Sequence, residues 1–248
     1  TILDKDALEV IFNDKDIKMV DKTKRVDNVL NSAVNFYAPD ITFEEVTQFY
    51  NSKIQPDPTK PLSFGLNSKL VKENGKILEL VYKADGLYGN AIKEIIKWLE
   101  MAVSVAENEP QSEALKILIN FYKTGNLKTW DDYCVAWTKA TEGNIDYING
   151  FIEVYNDPIG LRGSYETIVQ INDFDMSRKM SVLSENVQWF EDNSSIMNEH
   201  KKENVKGVSY KTVNVAGEAG DASPSTPIGV NLPNANWIRS NVGSKSVS

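Results

Sequence analysis

Histidine and cysteine, on which many metal and nucleophile sites depend, are almost absent from this sequence. Its 248 residues include one histidine, His200, and one cysteine, Cys134. A single cysteine excludes an intrachain disulfide, and a single histidine leaves no HExxH zinc motif. His200 lies in the polar segment EHKKEN and is expected at the solvated surface. Cys134 lies on an apolar helical stripe, which favours a buried structural thiol over a nucleophile.

The sequence also lacks long apolar runs, basic clusters and phosphate-binding loops. No run approaches the ~18 apolar residues of a membrane span, so no span is predicted. Acidic residues outnumber basic residues by 35 to 27, and this net charge of −8 argues against a nucleic-acid partner. There is no GxGxxG motif, P-loop or Nudix-type box. The sequence therefore shows no self-sufficient catalytic set.

Helices are predicted along most of the first 140 residues. The first forty residues show a helical stripe that comprises Val26, Val29, Leu30, Ala33 and Val34. A capping box begins the next helix at Thr42. A stripe over residues 92–106 predicts a long helix that is ended by Pro110. Ser112 and Thr129 are then predicted to cap two further helices.

Strands are predicted between these helices and after them. Residues 66–82 form a hairpin around Asn74-Gly75, because both turn positions tolerate positive φ. Residues 147–169 read as strand, Pro/Gly turn and strand, and residues 206–217 are rich in β-branched side chains. Helices in blocks combined with antiparallel strands indicate an α+β fold.

The last part of the chain changes in composition. After a predicted amphipathic helix over residues 180–190, the sequence from Gly217 onward is dominated by Gly, Ser, Pro and Asn. Such a composition is compatible with a disordered tail. Leu232 and Trp237 provide apolar anchors, and they favour an ordered, extended loop.

The strand-turn-strand segment 147–169 contains many ionisable side chains. On a regular strand, Glu153 and Tyr155 would share one face while Ile152 and Val154 face the core. The carboxylate could then pair with a cation, and the phenol could donate to a carbonyl or an oxyanion. An ordinary exposed strand face explains the same pattern equally well.

Two further groups of polar residues have a structural and a functional interpretation. Arg162 is expected to form an ion pair with Asp157 inside the turn, and Glu166 to join this turn network. The amides of Asn231 and Asn234 can satisfy extended backbone, either the chain's own or that of a bound peptide. Simple turn-forming asparagines are the equal alternative.

Two blocks of the sequence resemble the dipeptidyl peptidase III family of zinc metallopeptidases. FIEVYNDPIGLRGSYE is similar to the family signature F-I-E-x-Y-x-D-P-x-G-x-R-G-x-x-E. PIGVNLPNANWIR, followed by KSVS, is similar to the Pro-x-Gly-(Ile/Val)-Asn-x-Pro-Asn block of the family. Weaker similarity extends upstream through NFYAPD and the hairpin.

The resemblance implies roles for four residues. Glu153 matches the carboxylate that holds the free α-ammonium of the substrate. Tyr155 matches a catalytic tyrosine that positions the scissile carbonyl and steadies the oxyanion. Asn231 and Asn234 match asparagines that bind the peptide backbone, which lies as an added strand in a cleft between two lobes.

The resemblance also implies how the chain is divided. Residues 1–173 are expected in a lower lobe of helices around a β-barrel-like antiparallel sheet. Residues 174–214 are expected to form a helix that leans toward the upper lobe and a strand that returns to the lower one. Residues 215–248 are expected to be an extended segment crossing the cleft. The zinc motif of the family, His-Glu-x-x-Gly-His, has no counterpart among the 248 residues.

The sequence therefore predicts an internal fragment that contributes substrate binding to a zinc-dependent dipeptidyl peptidase. The fragment is expected to bind no metal and to be inactive alone, whereas its longer parent carries zinc and is expected in the cytoplasm. The expected partners are an oligopeptide substrate and the missing zinc-bearing lobe, without nucleic acid or a membrane span. The alternatives are a non-catalytic peptide-binding module and a structural domain without a ligand.

Overall fold

The computed structural model describes residues 4–13, 15–205, 210–224, 227 and 229–247. The helices in this part of the chain are α1 (Lys5–Ile11), α2 (Phe43–Asn51), α3 (Gly89–Ser104), α4 (Glu109–Thr124), α5 (Leu127–Lys139), α6 (Phe174–Glu185), α7 (Val187–Asp192) and α8 (Asn236–Asn241). The strands are β1 (Ser68–Glu73), β2 (Lys76–Val81), β3 (Ile145–Glu153), β4 (Ser164–Asn172), β5 (Tyr210–Lys211), β6 (Val213–Gly220), β7 (Val230–Leu232) and β8 (Lys245–Val247).

The described strands form three separate open sheets. β1 and β2 form the predicted hairpin, β3, β4 and β6 form an antiparallel sheet with β4 in the centre, and β5, β8 and β7 form the third sheet. β5 and β8 pair in parallel, whereas the other strand pairs are antiparallel. The mixture of helices with mainly antiparallel strand pairs agrees with the predicted fold class. None of the described sheets closes into a barrel, so the barrel-like lower lobe is not confirmed. Closure would need more strands than the three that each larger sheet contains.

The N-terminal region departs from the prediction of a helix. After α1, residues 15–40 form turns and bends instead of continuing the helical stripe. Asp27 explains part of this difference, because its carboxylate accepts the amides of Val29 and Leu30, both at 3.0 Å, and that of Phe43 at 2.9 Å. Such local side-chain bonds compete with helical hydrogen bonding.

Two helices begin earlier than the sequence predicts. Asn108 caps α4 by accepting the amide of Gln111, and Pro110 lies in the first turn instead of ending the preceding helix. A proline there loses no helical hydrogen bond, since the first amides of a helix have no partner. Asn126 caps α5, so Ser112 and Thr129 are not the capping residues. The capping box at Thr42 and Glu45 is confirmed.

The C-terminal half contains more short elements than predicted. The helix expected over residues 180–190 is divided into α6 and α7 at Asn186. The predicted strand 206–217 corresponds to β5 and β6, and its residues 206–209 lie outside the described part. The extended segment after Gly217 is ordered where it is described, with two strands and α8. The assignment of residues 1–173, 174–214 and 215–248 to lobes stays a prediction.

The main hydrophobic core lies between α3, α4, α5 and strands β3 and β4. Leu118, Phe121 and Tyr122 of α4 are completely buried in it, and Ile148 and Ile168 contribute from the two strands. Cys134 is buried here as expected, and burial raises the pKa of its thiol. His200 is exposed, as predicted, in a 3₁₀ turn over Asn198–His200.

The turn between β3 and β4 is fixed by Asp157. Its carboxylate oxygen Oδ2 accepts the amides of Leu161 and Arg162, each at 2.8 Å. The hydroxyl of Tyr37 donates to both carboxylate oxygens at 2.9 Å. Asp157 is 1% exposed, and these donors compensate for its lost hydration. The turn is therefore attached to the N-terminal region of the chain.

Arg162 is completely buried, and its guanidinium does not form the ion pair predicted with Asp157. Nη2 donates to the hydroxyl of Tyr50 at 2.6 Å, and the guanidinium carbon lies 4.6 Å from the ring centre of Tyr37 and 4.9 Å from that of Tyr50. The Tyr50 hydroxyl in turn donates to Glu79 at 2.7 Å. The buried cation thus lies against two tyrosine rings whose hydroxyls are bonded to Asp157 and Glu79. A planar guanidinium is well suited to such cation–π contacts.

Removal of Arg162 is predicted to destabilise the protein. Arg162→Ala should lower the free energy of unfolding by about 3 kcal/mol, since it leaves a cavity and the tyrosine–carboxylate contacts without their cation. Urea denaturation measures this change. Arg178→Ala in α6, where the side chain is 79% exposed, is the control and should shift stability by less than about 0.5 kcal/mol. Equal effects of the two variants would contradict this account of the turn.

Candidate functional site

Three strand ends meet at one edge of the antiparallel sheet. β3 ends at Glu153, β4 begins at Ser164 and β6 ends at Gly220. Glu166 is in register with Gly150 of β3 on one side and with Gly220 of β6 on the other. Because neighbouring antiparallel strands run in opposite directions, this edge gathers residues that are far apart in the chain. We call it the carboxylate edge, after Glu153, Glu166 and Asp221.

Glu153 lies at the end of β3, after an irregularity in the strand. The register between β3 and β4 shifts between Phe151 and Glu153, and both Phe151 and Ile152 are buried. A bulge interrupts strict alternation of side chains. Tyr155 lies beyond the strand end, with 53% of its surface exposed. The common strand face predicted for Glu153 and Tyr155 is therefore replaced by a bulge and a turn.

The second sequence block approaches this edge through Asn234. The Nδ2 atom of Asn234 donates to Oε1 of Glu153 at 3.3 Å, across 81 residues of sequence. Asn231 is exposed in β7, where it is in register with Ser246 of β8. The fold thus joins the two blocks through Glu153 and Asn234, two of the residues singled out in the sequence.

Asp221 completes the edge, although no motif in the sequence singles it out. Its carboxylate accepts a short hydrogen bond from the hydroxyl of Tyr155 and a bond from Nδ2 of Asn156 at 3.1 Å. Asn156 also donates to the hydroxyl of Ser164 at 3.1 Å. Asp221 is close to Tyr155 only because β6 pairs with β4. A single sequence gives no direct signal of that pairing.

Glu166 is 6% exposed and lies among like charges instead of in the predicted network with Arg162. Burial raises the pKa of its carboxyl to about 7, and the nearby carboxylates of Glu153 and Asp221 raise it further in the same direction. Two carboxylates that share a site resist simultaneous ionisation. A bound cation would relieve this repulsion, so the carboxylate edge is electrostatically suited to a positively charged group.

A cavity of about 600 Å³ opens beside Glu153 and Asn234. Its walls are mainly apolar and aromatic, and they include Phe64, Trp130 and Phe151. Asp131 also lines it and is 5% exposed; burial, and secondarily the charge of Asp132, raises the pKa of Asp131 to about 7. The size is in the range of small-molecule and peptide side-chain sites.

The described residues do not provide a metal site. They contain no group of three or more His, Cys, Asp or Glu side chains arranged to hold an ion. These described residues therefore offer no set of ligands for the zinc that the family resemblance implies for the longer parent. None of the helices in this described part of the chain is long and apolar enough to cross a membrane.

Comparison with known proteins identifies the relatives of this chain. The model of Peptidase family M49 matches residues 32–248. Dipeptidyl peptidase 3 of Dictyostelium discoideum is 27% identical in an alignment of 236 residues, and the match covers 88% of this chain and 33% of that protein. Dipeptidyl peptidase 3 of Nematostella vectensis is 28% identical over 163 residues, 66% of this chain and 22% of that protein. The chain thus spans a third or less of these two relatives.

A solved structure shares the fold. The structure of DPP III from Caldithrix abyssi superposes with a TM-score of 0.71 at 22% identity, and the match covers 86% of this chain and 40% of that one. At this level of identity the likeness establishes the fold alone. The match to the family model spans most of the sequence and includes both blocks from which the resemblance was read. The chain therefore belongs to peptidase family M49, and its resemblance to dipeptidyl peptidase III is confirmed.

Proposed function

We propose that this chain is the substrate-binding part of a zinc-dependent dipeptidyl peptidase, which releases dipeptides from the N-termini of peptides. The observation that carries the proposal is the carboxylate edge, where Asn234 bonds Glu153 beside Glu166 and Asp221. An α-ammonium is the cation that distinguishes the end of a peptide from its interior. A site for it at the end of a cleft sets how many residues precede the cleaved bond.

The carboxylate edge would hold the α-ammonium through Glu153. A carboxylate accepts charge-assisted hydrogen bonds from an ammonium, and the bond from Asn234 orients one of its oxygens. Glu166 adds negative charge from a position that is shielded from water, where electrostatic attraction is less screened. The neighbouring cavity would accept the first side chain of the peptide.

The peptide backbone would continue along the asparagine block. Asn231 and Asn234 are both exposed, and an amide side chain both donates and accepts as a peptide group does. Among the described strands, β3 is an outermost strand of its sheet. An extended peptide that pairs with the outer side of such a strand becomes an added strand, which is a common mode of peptide recognition.

The chemistry of cleavage would come from the longer parent protein. Zinc, when bound there, would supply Lewis acidity and an activated water. Within this chain, Tyr155 would meet the scissile carbonyl with its phenol, as the resemblance implies. Glu153 and Asn234 would hold the substrate so that this carbonyl reaches Tyr155. A non-catalytic peptide-binding module would use the same edge and would differ only in releasing no product.

Glu153→Gln is predicted to weaken binding of peptides that have a free N-terminus. Affinity for a pentapeptide, measured by titration calorimetry, should fall about 10- to 100-fold, since one charge-assisted bond is lost. The same peptide with an acetylated N-terminus should bind weakly to wild type and variant alike. Glu73→Gln, at the exposed end of β1, is the matched control and should bind as wild type. Equal losses for free and acetylated peptides would contradict an ammonium site.

Binding of the free peptide is predicted to depend on pH through Glu166. The pKa of Glu166 is raised to about 7, so its negative charge develops as the pH rises through that value. The peptide α-amino group loses its charge above about 8. Affinity should therefore increase on the order of 5-fold between about pH 5.5 and 7.5 and fall at higher pH. Glu166→Gln should lose much of the increase at low pH and keep the decrease at high pH; an unchanged profile would exclude Glu166 from the site.

Activity is predicted for the longer parent and not for this chain alone. The parent should release naphthylamine from a dipeptidyl-naphthylamide, lose this activity on treatment with a chelator and regain it with zinc. The pure 248-residue chain should release none. Chelator-sensitive release of naphthylamine by the 248-residue chain would contradict the proposal that this chain binds the substrate and the rest of the parent cleaves it. A parent that binds peptides and releases no product would favour the non-catalytic module.

A further inference from the structure

Asp221 is held rigidly although it follows the end of a strand. Its amide donates to the carbonyl of Tyr165 in β4 at 2.8 Å. The preceding residue, Gly220, has φ of +71°, and a Cβ atom there would lie 2.1 Å from that same carbonyl oxygen. Only glycine allows this close approach. The backbone of Asp221 is thus tied to the start of β4.

The two carboxylate oxygens of Asp221 have different partners. Oδ1 accepts from Nδ2 of Asn156 at 3.1 Å, and Oδ2 accepts from the hydroxyl of Tyr155. Asn156 is itself fixed by its bond to Ser164 at 3.1 Å. One oxygen therefore orients the carboxylate, and the other is directed at the phenol.

Tyr155 has little packing to hold it. The residue is 53% exposed, whereas Tyr37 and Tyr82 are 6% and 4% exposed. The hydrogen bond to Asp221 is the largest cause of the raised pKa of the Tyr155 phenol, ahead of burial and of the charges of Asp221, Glu166 and Glu153. The position of this exposed ring thus depends on a polar contact.

We propose that Asp221 is a positioning residue for this site. Asp221 holds the phenol of Tyr155 beside the carboxylate edge by accepting its hydrogen bond until a bound peptide offers a competing acceptor. The inference rests on the proposed function, and it concerns a residue to which the sequence resemblance assigns no role. A phenol has a single O–H donor, so Tyr155 can donate to a peptide carbonyl only after its hydrogen bond to Asp221 breaks. The peptide carbonyl would then replace Asp221 as the acceptor of this hydrogen bond, while the ammonium stays on Glu153.

A double-mutant cycle tests whether Asp221 acts through Tyr155. Asp221→Ala and Tyr155→Phe should each weaken binding of the free pentapeptide by about 10-fold. In the Tyr155→Phe background, Asp221→Ala should change the affinity by less than about 2-fold, because the group that it positions is already absent. Asp221→Asn keeps an acceptor oxygen and should recover part of the loss. Asp175→Asn, on an exposed side chain of α6, should bind as wild type.

The ionisation of Tyr155 gives a second readout that a general loss of structure would not produce. In the chain labelled with ¹³C at tyrosine Cζ, Asp221→Ala should lower the pKa of Tyr155 toward about 10 and leave the buried tyrosines unchanged. Additive losses in the cycle, or an unchanged Tyr155 pKa, would overturn this inference while leaving the proposed function intact. A wild-type chain and parent that bind no free peptide would overturn both.

Discussion

The pairing of β4 with a neighbour on each side is the constraint on which the candidate site depends. β3 and β6 lie on opposite edges of β4, and Glu166 is in register with Gly150 and Gly220. This antiparallel arrangement brings the end of β3 and the end of β6 to the start of β4. Glu153, Tyr155 and Asp221 meet there although up to 68 residues separate them in the sequence. A shift of β6 by one residue would turn Asp221 away from Tyr155.

The turn after β3 keeps this edge in place from the other side. Asp157 accepts two turn amides and the hydroxyl of Tyr37, so the turn is bonded to a distant part of the chain. Arg162 adds a buried cation between the rings of Tyr37 and Tyr50. The ionisable residues of this short segment thus have separate tasks. Asp157 and Arg162 contact the protein interior, whereas Glu153 and Tyr155 lie at the edge of the sheet.

The sequence predicted those helices and strands whose pattern lies entirely in neighbouring residues. The capping box at Thr42, the Asn74-Gly75 hairpin and the stripe of α3 each depend on neighbouring residues alone. Asp27 could not be read in this way, because its carboxylate binds not only the nearby amides at positions 29 and 30 but also the distant amide of Phe43. Asp221 was missed for a related reason. Its role depends on which strands pair, and strand pairing is a property of the whole fold.

The central claim is that Glu153 and Asn234 receive the N-terminus of a peptide. A crystal structure of the protein with a bound pentapeptide tests it most directly. The account predicts the terminal nitrogen within about 3 Å of a Glu153 carboxylate oxygen, with the extended backbone running along Asn231 and Asn234. A peptide that binds in the opposite direction, or whose N-terminus lies away from Glu153, would contradict it.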